Sequence, residues 1–165
     1  MYAVSSLQRT NQEINDAYER SADAVYRVCC VYLKFNSADI MDAFQQTFLK
    51  YMLCKKPFQN SEHEKAWFIV TASNVCKDIL KSAWKRSVML ERGQTDYVGP
   101  FEIDETMECI MALPDKYKTA VYLHYYEGYS AAEIGRMTGK AESTVFGTLH
   151  KARKLLKDML TEVQK

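Results

Sequence analysis

The sequence predicts an all-α protein built from two small helical domains. Apolar residues recur at spacings of three and four along most of the 165-residue chain, which is the period of an amphipathic helix. Only 6 Gly and 3 Pro are present, so few of the turns that connect strands can form. The segment from Gly93 to Ile110 carries acids and no base. We therefore expect domains at residues 8–86 and 107–162, joined by a flexible acidic linker at 87–106.

Three helices are expected in the first domain. Apolar residues at helical spacing predict a helix or helix pair from about Asn11 to Phe35, and Asn36-Ser37 interrupts the pattern. A second helix carries an apolar ladder with an interval of four: Ile40, Phe44, Phe48 and Met52. Ser61 and Glu64 have the spacing of a capping box, which predicts a third helix that runs to about Arg86.

The second domain ends in a pattern typical of a helix-turn-helix. A short helix is expected from Met107 to Leu113, followed by a helix that begins near Pro114 and ends at Gly128. Ser130 and Glu133 form a capping-box pattern, and Gly139 permits a tight turn. In the last helix the inward positions are Val145, Leu149, Ala152 and Leu156. Such a unit commonly places its second helix in the major groove of DNA.

The charge distribution also indicates nucleic acid, although the net charge is only +1. Basic residues concentrate between Lys77 and Arg92 and again between Phe146 and Lys157, on either side of the acidic segment. Two such patches can bind phosphates while the average charge stays near zero.

The residues give no sign of an active site, a metal or a cofactor. The five cysteines form no CxxC pair and no zinc-ligand spacing, and the three histidines lie near no recognisable nucleophile. We expect free thiols in a reducing compartment and, without a signal peptide or membrane span, a cytoplasmic protein that is not an enzyme.

The third predicted helix combines aromatic and basic residues. Trp67, Phe68 and Trp84 accompany lysines at positions 77, 81 and 85. Bases of single-stranded DNA stack on aromatic rings while lysines follow the phosphates. The same residues also fit an ordinary core with a solvated basic face, and the pattern alone favours neither interpretation.

Four motifs in order resemble the extracytoplasmic-function group of bacterial sigma factors, and they span nearly the whole chain. They are Asp42-Ala-Phe-Gln45-Gln46-Thr-Phe48-Leu, Trp67-Phe-Ile-Val-Thr-Ala-Ser-Asn74-Val-Cys-Lys-Asp78, Leu113-Pro114, and Thr144-Val145 with Leu149-His150-Lys151-Ala152-Arg153. The length suits a sigma factor reduced to regions 2 and 4.

The resemblance implies a role for each motif. The residues matching the surface that docks on the β′ clamp helices of core RNA polymerase are Asp42, Gln45, Gln46 and Phe48. Those implied in opening the minus-ten element are Trp67, Asn74, Lys77, Asp78, Lys81, Trp84 and Lys85. Those implied in contacting the minus-thirty-five element are Ser143, Thr144, Phe146, Thr148, His150, Lys151, Arg153 and Lys154. The resemblance also implies that region 4 touches the β flap, that an anti-sigma factor binds the protein, and that it makes no membrane contact of its own.

The last helix departs from the family pattern. Phe146 and Thr148 stand where basic residues are common, and Gly147 lies inside the helix. We therefore expect a minus-thirty-five contact that is weaker than usual or has a different specificity. Two alternatives stay open: a free-standing helix-turn-helix regulator, and a sigma-like protein that binds polymerase without reading promoters.

Overall fold

A computed structural model describes residues 9–34, 36–86 and 103–163, with the backbone alone at 83–86 and 163. The predicted linker therefore falls, at 87–102, outside the described residues. Throughout the described ranges the regular structure is helical, with no strand, which confirms the all-α prediction. The chain divides into two compact units, Met1–Val98 and Gly99–Lys165. No described helix is long and apolar enough to cross a membrane.

The first unit is a bundle of three helices that pack pairwise against one another. They are α1 (Asn11–Leu33), α2 (Ser37–Leu53) and α3 (Ser61–Arg86). Thr10 and Glu13 form a capping box at the start of α1, and the Asn36 side chain caps α2 by accepting from the backbone N–H of Asp39. The predicted helix or helix pair at the start of the chain is thus a single helix.

The capping box expected from Ser61 and Glu64 does not form. Asn60 caps α3 instead, because its Oδ1 accepts from the His63 N–H at 2.8 Å and its carbonyl accepts from the Glu64 N–H at 3.1 Å. Glu64 turns into the bundle. Its carboxylate accepts from Arg20 Nη2 of α1 at 2.7 Å and from the Tyr51 hydroxyl of α2 at 3.0 Å. One carboxylate thereby connects all three helices.

Burial of Tyr51 and its hydrogen bond to Glu64 raise the pKa of this tyrosine to about 12. The Tyr51 hydroxyl therefore stays protonated as a donor to Glu64 well above neutral pH.

The second unit contains four α-helices and one π-helical turn in its described part. The helices are α4 (Glu105–Ala112), α5 (Asp115–Val121), α6 (Ala131–Thr138) and α7 (Glu142–Val163), and the π-helical turn is Tyr122–Tyr126. Asp104 caps α4 by accepting from the Met107 N–H at 2.8 Å. Residues 104–106, which the sequence assigned to the linker, therefore cap and begin α4 within the second unit. Their acids suit the positive end of a helix dipole.

Candidate nucleic-acid and polymerase interfaces

The outer face of α2 presents a polar cluster followed by exposed apolar residues. Gln46 Nε2 donates to Asp42 Oδ2 at 3.0 Å, one helical turn apart, and Gln45 is exposed beside them. Leu49 and Leu53 continue this face toward the end of the helix, with 55% and 57% of their surfaces exposed. Two large exposed apolar side chains beside these polar groups form a surface that a partner protein can cover.

Phe48, expected on that surface from the resemblance, belongs to the core. Only 6% of the residue is exposed, and its ring lies 5.4 Å from that of Tyr18 and 4.9 Å from that of Phe68. Phe48 packs into the bundle between Tyr18 of α1 and Phe68 of α3, whereas Asp42 and Gln45 are exposed. We correct its role to one of holding α2 in place.

The outward face of α3 collects the polar residues that were predicted to contact the minus-ten element. Trp67 is half-buried, and Asn74, Asp78 and Lys81 are exposed at intervals of seven, four and three, which keeps them on one side of a helix. Phe68 is completely buried. Of the two interpretations that the sequence left open, the ordinary core applies to Phe68, and a surface that can stack on bases applies to Trp67, which reaches the surface.

An open surface pocket of about 340 Å³ lies on this face. It brings together Lys50 of α2 and several residues of α3, among them an indole, an amide and a carboxylate. The lining residues are Lys50, Trp67, Thr71, Asn74, Val75 and Asp78. Sequence reasoning missed Lys50, because no pattern within α2 indicates that its side chain faces a groove of α3.

The lysines of α3 are not equivalent. The Lys77 ammonium lies 5.8 Å from the centre of the Tyr32 ring of α1, at the edge of the outward face. Lys81 points to solvent in the middle of that face. Trp84 and Lys85, also predicted here, lie where the structure describes the backbone alone, as part of α3.

An arginine before α1 holds the loop between α2 and α3. Arg9 Nε donates to the Tyr51 carbonyl at 3.2 Å and Nη2 donates to the Lys56 carbonyl at 2.7 Å. Its guanidinium also lies 4.3 Å from the centre of the Tyr51 ring and 5.1 Å from that of Phe58. Phe58 in turn packs edge-on against Trp67 at 5.8 Å. Arg9 thus fixes the loop that borders the pocket, a role that only the tertiary structure shows.

The helix-turn-helix forms as the sequence predicts. The Ser130 and Glu133 capping box is present, and Gly139 adopts the left-handed conformation with φ +69°. Backbone hydrogen bonding by Ser130 lowers the pKa of Glu133. Gly135 is a second essential glycine that sequence reasoning missed. A Cβ on it would lie 2.6 Å from the carbonyl oxygen of Lys140, so the chain leaving the turn passes directly over α6. A capping-box helix with Gly in its second turn is the signal that could have revealed it.

The predicted minus-thirty-five residues lie on the solvent side of α7. Val145, Leu149 and Ala152 are buried and define the inward face. The predicted residues that are exposed are Ser143, Thr144, Phe146, His150, Lys151, Arg153 and Lys154, and Thr148 is half-buried.

Two of these side chains have partners within the unit. Arg153 Nε donates to the Tyr125 hydroxyl at 2.5 Å, and the Thr148 hydroxyl donates to the Thr144 carbonyl at 3.0 Å. The cations that extend without such a bond therefore lie in the third and later turns, while the first two turns carry no cation.

Known proteins resemble the chain in the same two regions. Residues 103–156 match the family model for sigma-70, region 4. The RNA polymerase sigma factor SigV of Bacillus subtilis is 29% identical over 144 residues, covering 83% of this chain and 84% of the relative. The ECF RNA polymerase sigma factor SigL of Mycobacterium tuberculosis is 26% identical over 159 residues, covering 88% of each chain. The ECF RNA polymerase sigma factor SigW of Bacillus subtilis is 25% identical over 171 residues, covering 92% of this chain and 89% of the relative.

Two findings identify the family. The second unit contains the helix-turn-helix of region 4, and the similarity to the relatives extends over the helical unit that precedes it. The chain belongs to the extracytoplasmic-function group of the sigma-70 family.

Proposed function

We propose that this protein binds core RNA polymerase, directs it to particular promoters and helps to melt them. The observation that carries the proposal is the pairing of two different candidate nucleic-acid surfaces in one chain. One unit has a helix-turn-helix, and the other has a pocket where α3 gathers Trp67, Asn74 and Asp78. A regulator that only binds duplex DNA has no use for the second surface. Polymerase itself performs the nucleotidyl transfer.

The face of α2 is the proposed polymerase-docking surface. The hydrogen-bonding groups of this surface belong to Asp42, Gln45 and Gln46. Its apolar area belongs to Leu49 and Leu53, whose side chains are exposed to water in the free protein. Interfaces of this kind combine an apolar centre with a polar rim. We assign the β′ clamp helices as the partner, in keeping with the family.

The pocket on α3 is the proposed site for an unstacked base of the minus-ten element. Extruding a base costs a few kcal/mol, which stacking and hydrogen bonds must offset. The Trp67 indole offers a stacking surface, while Asn74 and Asp78 can bond to base edges. Lys50 stands at the rim with a charge suited to the adjacent phosphate, and Lys81 continues the path of the strand.

The second unit is proposed to contact the minus-thirty-five element through α7. The exposed first turns suit contact with base edges, and Lys151 and Lys154 suit contact with phosphates. Contacts to the β flap and to an anti-sigma factor are proposed on the family resemblance alone.

Co-elution with core RNA polymerase, purified free of other sigma factors, tests the docking surface. We expect a stable complex that is lost when Asp42 and Gln45 are both changed to Ala. A matched control changes Gln12 and Asp16 of α1 to Ala, because Gln12 Nε2 donates to Asp16 Oδ1 at 2.8 Å with the same spacing of four residues as the Gln46–Asp42 pair of α2. Equal loss of binding in both double variants would contradict the assignment of α2.

Melting is tested by permanganate reactivity of unpaired thymines on promoters selected from a randomised duplex library by the holoenzyme. Asn74→Ala, Asp78→Ala and Lys50→Ala should reduce melting while core binding persists, and Asn15→Ala on exposed α1 is the control. Duplex selection without core polymerase would favour a free-standing regulator. Core binding without any selected duplex would favour a regulator that does not read promoters.

A further inference from the structure

An exposed aromatic ring occupies the part of α7 that faces DNA in a helix-turn-helix. Phe146 is the fifth residue of the helix, and 58% of its surface is exposed although it is the largest side chain in the first two turns. The buried residues Val145 and Leu149 form the inward side of the helix, and Phe146 projects from its flank into solvent. A single exposed apolar residue needs no explanation in general. The position of Phe146 does need an explanation, because in a helix-turn-helix the first turns of the second helix contact base edges.

The neighbours of Phe146 favour a close approach to the groove. A Cβ added to Gly147 would meet nothing within 4 Å, so the backbone beside the ring is bare on its outer side. The nearest exposed lysine or arginine on the helix is Lys151, five residues further along. Apolar and small groups thus occupy the first two turns and exposed lysines begin in the third, a division that suits contact with base edges and with phosphates respectively.

We propose that Phe146 selects thymine in the minus-thirty-five element by contacting the 5-methyl group in the major groove. The inference rests on the proposed function and specifies its selectivity. Thymine is distinguished there by its O4 acceptor and by a methyl group, and an apolar side chain can recognise only the methyl. The Phe146 side chain has no hydrogen-bonding group, so it cannot pair with the donors and acceptors that cytosine, adenine and guanine present in the major groove.

The test uses holoenzyme and duplexes whose minus-thirty-five window is randomised while the minus-ten element is constant. Selection is run with the wild type, Phe146→Ala and Phe146→Leu. Leu160→Ala is the control, since Leu160 is an exposed apolar residue near the far end of the same helix. The selected thymine is then replaced by deoxyuridine, which removes the methyl group and leaves every hydrogen-bonding group in place. Deoxyuridine outside the window controls for the substitution itself.

We expect the wild type and Leu160→Ala to select thymine at one position or more. Deoxyuridine there should weaken wild-type binding about fourfold, as for one methyl group removed from an apolar contact. Phe146→Ala should bind the two duplexes equally, and Phe146→Leu should keep part of the difference.

Three outcomes would overturn the inference. The first is that the wild type selects no thymine. The second is that the effect of deoxyuridine on binding persists in Phe146→Ala. The third is that Phe146→Ala weakens binding to core polymerase while the selected DNA sequence stays unchanged. The last would make the ring a polymerase contact. Failure of the wild-type holoenzyme to bind any duplex would instead refute the proposed function itself.

Discussion

Replacement of two glycines of the helix-turn-helix by alanine should have opposite effects on the second unit. Gly135 and Gly147 both lie inside helices, α6 and α7, so the intrinsic gain in helix propensity is the same, about 1 kcal/mol. Their surroundings differ. At Gly147 the new methyl group enters open space, and at Gly135 it meets the backbone of the turn, with the Lys140 oxygen at 2.6 Å and the Glu142 nitrogen at 3.5 Å.

The magnitude follows from what must move. The Lys140 oxygen belongs to the backbone, and the Lys140 N–H donates to the Gly135 carbonyl at 2.9 Å, so the turn cannot yield without straining that bond. Overpacking of this kind costs about 1–3 kcal/mol. After the gain in propensity is subtracted, Gly135→Ala should destabilise the unit by up to about 2 kcal/mol. Gly147→Ala should stabilise it by about 0.5–1 kcal/mol.

Hydrogen–deuterium exchange of amides in α6 and α7 of the full chain gives the local stability without assuming that both units unfold together. Protection of the Leu149 amide should fall about tenfold in Gly135→Ala and rise severalfold in Gly147→Ala. Amides in α1 serve as the internal control. The reasoning fails if Gly135→Ala raises protection, or if the two variants change it in the same direction.

Three further results are expected. Tyr51→Phe should lose about 1–3 kcal/mol in urea denaturation, because Glu64 is buried and loses a donor. Because the pKa of Tyr51 is raised to about 12 in the folded state, the contribution of the protonated Tyr51 hydroxyl to the free energy of unfolding is complete below pH 10 and is lost as the pH rises to 12. The free energy of unfolding should therefore fall less steeply between pH 10 and pH 12 in Tyr51→Phe than in the wild type. A hydrogen bond with Cys76 and burial raise the pKa of the Cys29 thiol. Mass spectrometry after iodoacetamide treatment should therefore find Cys29 unmodified while the half-buried thiols of Cys54 and Cys109 react. Early modification of Cys29 would contradict its buried position. Thr148→Arg should strengthen duplex binding and make the salt dependence steeper by about one unit, and an unchanged slope in a salt titration would mean that this flank of α7 does not reach phosphate.

The features that the sequence predicted correctly are those decided within one or two helical turns. Periodic apolar residues, the Ser130–Glu133 capping box and the left-handed Gly139 all depend on neighbours at most a few positions away. The helix-turn-helix was therefore recognisable from local patterns alone.

Residues whose partners lie far along the chain were decided by the tertiary structure. Ser61 and Glu64 have the same spacing as the true capping box, yet Glu64 gains more from Arg20, 44 positions away, than from the helix start that Asn60 already caps. Lys50 reaches the α3 pocket only because α2 packs beside it.

Sequence alone determined which helices form and that one pair is a helix-turn-helix, because periodicity and capping are local properties. The tertiary structure decided that Phe48 packs beneath the proposed polymerase-docking face and that Arg9 holds the loop between α2 and α3. It also decided that Gly135 must lack a side chain. Each of these depends on which backbone or ring another segment brings within a few ångströms, and no pattern within a single helix contains that distance.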